Sequence, residues 1–245
     1  MKKKFPYQEI SFRASGWMLI FYLGVIKYIK QHYHIRDIHL TGSSGGAVCM
    51  CSLLLKEHIN LDECFKKLIN VYETQSSIFI SSYKAHELID MFVNDEYICP
   101  YLLNNNTITV SCSEKRKYKF TTCLYYSLKH LRMLRHVLKG ATLIPYLCSF
   151  HGYPFMNMNL FDSYLTNPHP HVTMNYLKIT YTHNCVCGCN QLDDVIKPSI
   201  NLPNEWCLTP PLHILYDLYQ HGYDQAMMFF ESKPPLYIPN FKDYM

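Results

Sequence analysis

Ser44 lies between paired glycines in Gly42-Ser43-Ser44-Gly45-Gly46, and this G-x-S-x-G spacing marks the stretch best suited to covalent chemistry. In a strand-to-helix elbow the central serine occupies a tight turn. Glycines two residues to either side, here Gly42 and Gly46, relieve the crowding, and the hydroxyl is pushed into solvent. The helix that follows aims its first N–H groups at the same place and favours developing negative charge. A plain turn would use the same glycines. A P-loop would not, because the lysine of G-x-x-x-x-G-K-[ST] is missing.

Two further stretches could serve that hydroxyl. Phe12-Arg13-Ala14-Ser15-Gly16-Trp17 follows a strand-like run and precedes an apolar helix. A turn there would sit beside the elbow, and its backbone N–H groups could hold an oxyanion; an ordinary loop ending in glycine reads the same way. Asn159-Leu160-Phe161-Asp162-Ser163-Tyr164 offers a carboxylate. Within hydrogen-bond reach of Ser44, Asp162 would act as a general base. The bland alternative is a solvated turn aspartate near Asn and Pro.

The elements that must position these residues follow from patterning. Tyr7–Phe12 reads as a strand, Trp17–Tyr33 as a helix, Ile35–Leu40 as a second strand, Gly42–Gly46 as a turn and Ala47–Glu57 as a helix. That order is the signature of a parallel sheet with crossover helices. Leu61–Tyr72, Ala85–Phe92 and Leu128–Leu138 read as helices. Ile108–Cys112 and Lys117–Cys123 read as paired strands around a charged turn at Ser113–Arg116, and Thr180–Gly188 as a strand-like region. Pro210–Phe230 reads as a closing amphipathic helix, broken near Gly222. No repeat or linker divides the 245 residues, so one domain is expected, with a core over about 7–190 and a C-terminal extension with the closing helix over about 191–245.

Composition bounds the function. At 49% hydrophobic and 17% charged, the chain has material for a sizeable core. A net charge of +4 suits an anionic lipid surface and is too weak to argue for nucleic acid. The 11 cysteines are an odd number in apolar patterns, and no signal peptide is evident, so reduced thiols in a cytoplasmic setting are expected. Trp17–Ile26 stops at Lys27, about half the ~20 residues of a spanning helix. Cys185-Val186-Cys187-Gly188-Cys189 places alternate thiols on one strand face near His183, but without the paired C-x₂-C of a zinc site. A Ser-His-Asp hydrolase is open by chain order, with His169, His171, His183, His213 or His221 after Asp162, yet only one strand precedes the elbow.

These stretches, in this order, resemble the patatin-like phospholipases. "ISFRASGWMLIFYLGVIKYI" looks like that family's first strand, oxyanion loop and helix, and "HLTGSSGGAVCMCSLLL" like its nucleophile elbow. "LKGATLIPYLCSF" and "NLFDSYLTN" resemble the approach to its catalytic aspartate and the aspartate motif; "DLYQHGYDQAMMFF" is similar to the closing helix of the animal, adiponutrin-like branch. The resemblance spans roughly residues 8–231. It implies an α/β fold with a parallel-centred sheet and helices on both faces. It also implies a Ser-Asp dyad without histidine: Ser44 as nucleophile, Asp162 as base, and an oxyanion hole lined by Ala14, Ser15, Gly16 and Gly45. The implied activity is acyl-lipid hydrolysis through an acyl-serine, with no cofactor and no metal, by a protein peripheral at membranes or lipid droplets. Two departures fall on the machinery. The family's three successive glycines read Ala14-Ser15-Gly16, and its Asp-Gly-Gly reads Asp162-Ser163-Tyr164. A residue other than glycine costs about 1 kcal/mol wherever φ must be positive. The alternative function is therefore a catalytically impaired scaffold that binds lipid or a partner.

Overall fold

The computed structural model describes residues 2–74, 81–116, 119–146, 148, 150–182 and 194–232. In chain order its elements are β1 (Lys3–Lys4), β2 (Glu9–Phe12), α1 (Leu19–His32), β3 (Tyr33–His34), β4 (His39–Ser43), α2 (Ser44–Met50), α3 (Leu61–Glu73), α4 (Ser81–Phe92) and α5 (Pro100–Asn105). There follow β5 (Thr107–Arg116), β6 (Lys119–Tyr125), α6 (Leu131–Ala141), β7 (Tyr153–Phe155), β8 (Met158–Asp162), β9 (Tyr176–Ile179), β10 (Asp194–Ile196) and α7 (Leu212–Ser232).

The main sheet has the order β10-β9-β2-β4-β5-β8-β7, with β6 also on β5. From β10 to β5 all neighbours are parallel; β6, β8 and β7 add antiparallel pairs. This is the α/β, parallel-centred arrangement expected. Side chains alternate across it. Ile10, Phe12, Leu40, Ile108, Val110, Leu177 and Ile179 are buried on the side that meets α1, α2 and α6. On the reverse side Lys178, Ser11, Thr41 and Thr109 lie in one register row and are buried too. The chain after β8 covers part of this polar row. Ser11 Oγ donates to Pro170 O. The buried Glu9 carboxylate accepts from Thr41 Oγ1 and from the backbone N–H groups of Val172 and Thr173.

Several boundaries differ from the sequence reading, each for a tertiary reason. The helix after the elbow starts at Ser44 and gives way to a 3₁₀ turn at Cys51–Leu54, because Leu55 bridges to Ile98 and the Lys56 N–H donates to Tyr97 O. The charged run Ser113–Arg116 is strand, paired with Lys119–Thr122 of β6. α6 begins at Leu131, since the Leu128 N–H is tied to Ile108 O and Lys129 Nζ to the carbonyls of Asn104 and Asn106. Of the strand-like region expected at Thr180–Gly188, Thr180–Thr182 follow β9 (Tyr176–Ile179) without being strand, and the rest, with His183, Cys185, Cys187 and Cys189, lies outside the described residues. Helix α7 runs unbroken through Gly222. There α7 meets α1 backbone to backbone: a Cβ at Gly222 would lie 2.0 Å from Phe21 O, and one at Gly24 2.0 Å from Tyr219 O. Among the described residues no helix is long and apolar enough to cross a membrane.

Candidate active site

The expected five-residue turn contracts to one residue. Ser43 is still extended, at φ −131° and ψ 141°, and α2 starts at Ser44, whose φ is +54°. A left-handed conformation at a residue other than glycine costs on the order of 1–2 kcal/mol and is a mark of functional turns. The glycines answer to close approach: a Cβ at Gly42 would lie 2.6 Å from Ala47 Cα, and one at Gly46 2.2 Å from Arg13 O.

One edge of β5 brings the base to this elbow. β4 runs parallel to β5 and ends with Ser43 opposite Ser111. β8 runs antiparallel to β5 and ends with Asp162 opposite Cys112. Since β6 pairs with Val110–Arg116 along the other edge, β4 and β8 share this one and meet head-on at their carboxyl ends. Ser44 and Asp162 thereby lie side by side, and Ser44 Oγ donates to Asp162 Oδ2 at 2.5 Å. The next residue locks the junction. Ser163 Oγ donates to Ser111 O at 2.9 Å and accepts from Ser43 Oγ at 2.8 Å, with both serines fully buried. Asp162 is also held by its own N–H on Leu143 O and by the Tyr164 N–H on Oδ1, each at 2.8 Å.

Asp162 is 1% exposed, and burial pushes its carboxyl up to about 6, against the pull of the hydrogen bonds from Ser44 and the Tyr164 N–H. It is thus a carboxylate at neutral pH and a stronger base than an exposed aspartate. Ser44 is 7% exposed and faces a narrow cleft that opens to solvent. Apart from Asp162 its walls are mainly apolar: Trp17, Leu19, Val48, Leu88, Ile144 and Leu208, with Gly16, Gly45, Thr142 and Cys207.

The loop after β2 sits against the elbow. A Cβ at Gly45 would meet Gly16 O at 2.6 Å, Gly16 N at 3.1 Å and Ser15 Oγ at 3.1 Å. Gly16 has φ +52° and backs onto Cys207 O, so this position requires glycine. Ser15, at φ −141°, does not, and Ala14, Ser163 and Tyr164 also lie outside the left-handed region. The lost glycines therefore carry no backbone strain. One expected donor is removed from the set: the Ala14 N–H is committed to Pro168 O at 2.7 Å. Ser15, Gly16 and Gly45 remain beside Ser44, with the Gly45 N–H in the first turn of α2, where it has no intrahelical acceptor.

The candidate histidines among the described residues go elsewhere. His169 is buried against Ser11 O on the reverse side of the sheet, His171 stacks on Tyr176, His213 is exposed on α7 and His221 pairs with Ser199. Among the described residues no group of three or more His, Cys, Asp or Glu is placed to hold a metal. Sequence reasoning gave Ser163 no part beyond marking a lost glycine. The apolar pair Leu160-Phe161 ahead of it was the signal that Asp162 ends a strand.

No protein-family model and no curated protein matches the sequence. Among solved structures, the chain is similar to VipD from Legionella pneumophila, with a TM-score of 0.50 at 10% identity over 93% of this chain and 67% of that one. It also aligns with the ExoU–SpcU complex from the type III secretion system of Pseudomonas aeruginosa, at TM-score 0.46 and 11% identity over 94% of this chain, spanning about half (52%) of the matched one. At 10% identity the likeness to VipD speaks to the fold, which is the α/β fold described above.

Proposed function

We propose that the protein is a patatin-like serine acyl hydrolase acting on acyl lipids. The observation that carries this reading is the 2.5 Å hydrogen bond from Ser44 Oγ, on a left-handed elbow, to the buried Asp162 carboxylate. Asp162 takes the hydroxyl proton as Oγ attacks an ester carbonyl. The oxyanion forms beside the N–H groups of Ser15, Gly16 and Gly45. The protonated Asp162 then gives its proton to the leaving alcohol, and an acyl-serine remains. Water, deprotonated by Asp162, attacks the acyl-serine; Asp162 passes that proton to the departing Ser44 Oγ, and the fatty acid is released. No step needs a cofactor. The apolar cleft walls favour an acyl chain over a polar substituent. The closing-helix motif Asp217–Phe230 supports a place nearest the adiponutrin-like branch.

The test is covalent labelling by a fluorophosphonate ester. Labelling of the wild-type protein, lost in Ser44→Ala and reduced at least 10²-fold in Asp162→Asn, is the expected result. A folded protein that stays unlabelled overturns the reading in favour of the lipid-binding, catalytically impaired scaffold.

A further inference from the structure

Two exposed apolar segments lead away from the cleft, one on each side of Asp162 in the chain. From the wall residues Thr142 and Ile144 the backbone runs out to Tyr146 and Phe150, whose rings lie 6.1 Å apart. Beyond Asp162 it runs to Leu165. Phe150 is 68% exposed and Leu165 72%, with Tyr146 exposed as well. Large apolar side chains grouped in this way mark a contact surface rather than scatter. The β5–β6 hairpin joins them: Phe120 packs edge-on to Tyr146 at 6.0 Å, and Lys115 Nζ sits 5.3 Å from the Tyr146 ring. Arg116 is neutralised by Glu114 at 2.7 Å, whereas Lys115 and Lys119 are in no ion pair among the described residues.

We infer that this rim is a docking surface for an anionic phospholipid bilayer. Exposed rings and an aliphatic side chain enter the headgroup boundary while lysines beside them meet lipid phosphates and carboxylates. The rim segments continue directly from the cleft residues Ile144 and Asp162, so docking would bring the Ser44 cleft close to the layer that holds acyl esters. The choice of lipid as partner rests on the hydrolase reading. Vesicle binding needs no turnover, and Ser44→Ala protein is expected to bind as wild type does.

Co-sedimentation of the full chain with phosphatidylcholine vesicles, with and without phosphatidylserine, tests this. Binding is expected to be tighter with phosphatidylserine, and the gain to vanish at high salt. Lys115→Gln and Lys119→Gln each weaken it about fivefold. Phe150→Ser and Leu165→Ser each weaken it about tenfold. Fluorophosphonate labelling stays unchanged in all four variants, so loss of docking and loss of chemistry are read separately. Met174, 98% exposed at the amino ends of the strands, is the control: Met174→Ser leaves binding intact. The inference is overturned by equal binding to both vesicle types, by binding that the four variants do not change, by an effect of Met174→Ser as large as theirs, or by capture of a protein partner through the rim with no vesicle binding.

Discussion

Replacing Asp162 by asparagine removes a buried charge while leaving the shape of the site nearly unchanged. The amide oxygen can still accept from the Tyr164 N–H, and the amide nitrogen can donate to Ser44 Oγ. In the wild-type protein, burial lifts this carboxyl from 3.8 to about 6. At ~1.36 kcal/mol per pKa unit, the ionised group costs the fold about 3 kcal/mol. The sign follows from linkage. Below about pH 3 the group is protonated folded and unfolded, and the cost is absent. As pH rises the unfolded chain ionises first, and the cost grows until the folded carboxyl has ionised too, above about pH 6. Asp162→Asn is therefore expected to match wild type near pH 3 and to exceed it by about 3 kcal/mol near pH 7.5, some 6–12 °C in Tm. Denaturation scans at both pH values measure the difference. A variant no more stable than wild type near pH 7.5, or offset equally at both pH values, would refute the assignment of Asp162 as a buried carboxylate with a raised pKa.

The labelling rate of the wild-type protein should climb through about pH 6 and then level off, because only the ionised Asp162 accepts the Ser44 proton; a rate flat across that range would count against Asp162 as base. Ser163→Ala leaves Ser43 Oγ without its partner and should cost about 1–3 kcal/mol in a urea titration and slow labelling at every pH. Gly16→Ala forces a side chain onto Cys207 O in a left-handed turn and should abolish labelling or folding, while Ala14→Gly changes stability by only about 0.4–1 kcal/mol and labelling not at all. Gly222→Ala separates α7 from α1 and should cost at least about 2 kcal/mol by thermal denaturation, whereas a helix-propensity effect alone would stabilise.

Local signals carried much of this site. The runs read as strands at Tyr7–Phe12 and Ile35–Leu40 and the glycines around Ser44 are short-range features; β2 lies within the first run, while β4 shares only His39–Leu40 with the second and runs on to Ser43, where the elbow and α2 follow in the expected order. Distant contacts decided the rest. Nothing near Ala14 in sequence announces Pro168, whose carbonyl takes the Ala14 N–H. Nothing near Gly222 announces Phe21, whose backbone turns an expected helix break into a helix crossing. Asp162 could be read as a turn residue because β8 is short, its hairpin partner β7 reaches only as far as Leu160, and the residue opposite Asp162 is Cys112, far back in the chain. The lost glycines at Ala14 and Ser163 suggested damage, since the family pattern shows where glycine occurs and not which of those positions needs a positive φ.

The head-on meeting of β4 and β8 has a consequence for how the protein comes to life on the ribosome. Ser44 and Asp162 are 118 residues apart, and their contact depends on a pairing that closes late. A nascent chain that has emerged as far as α6 carries its serine without a base, as inert as any surface hydroxyl. On the proposed hydrolase reading, reactivity arrives only when β8 docks against the free stretch of β5, so an incomplete or misassembled chain would lack the means to attack lipid esters around it.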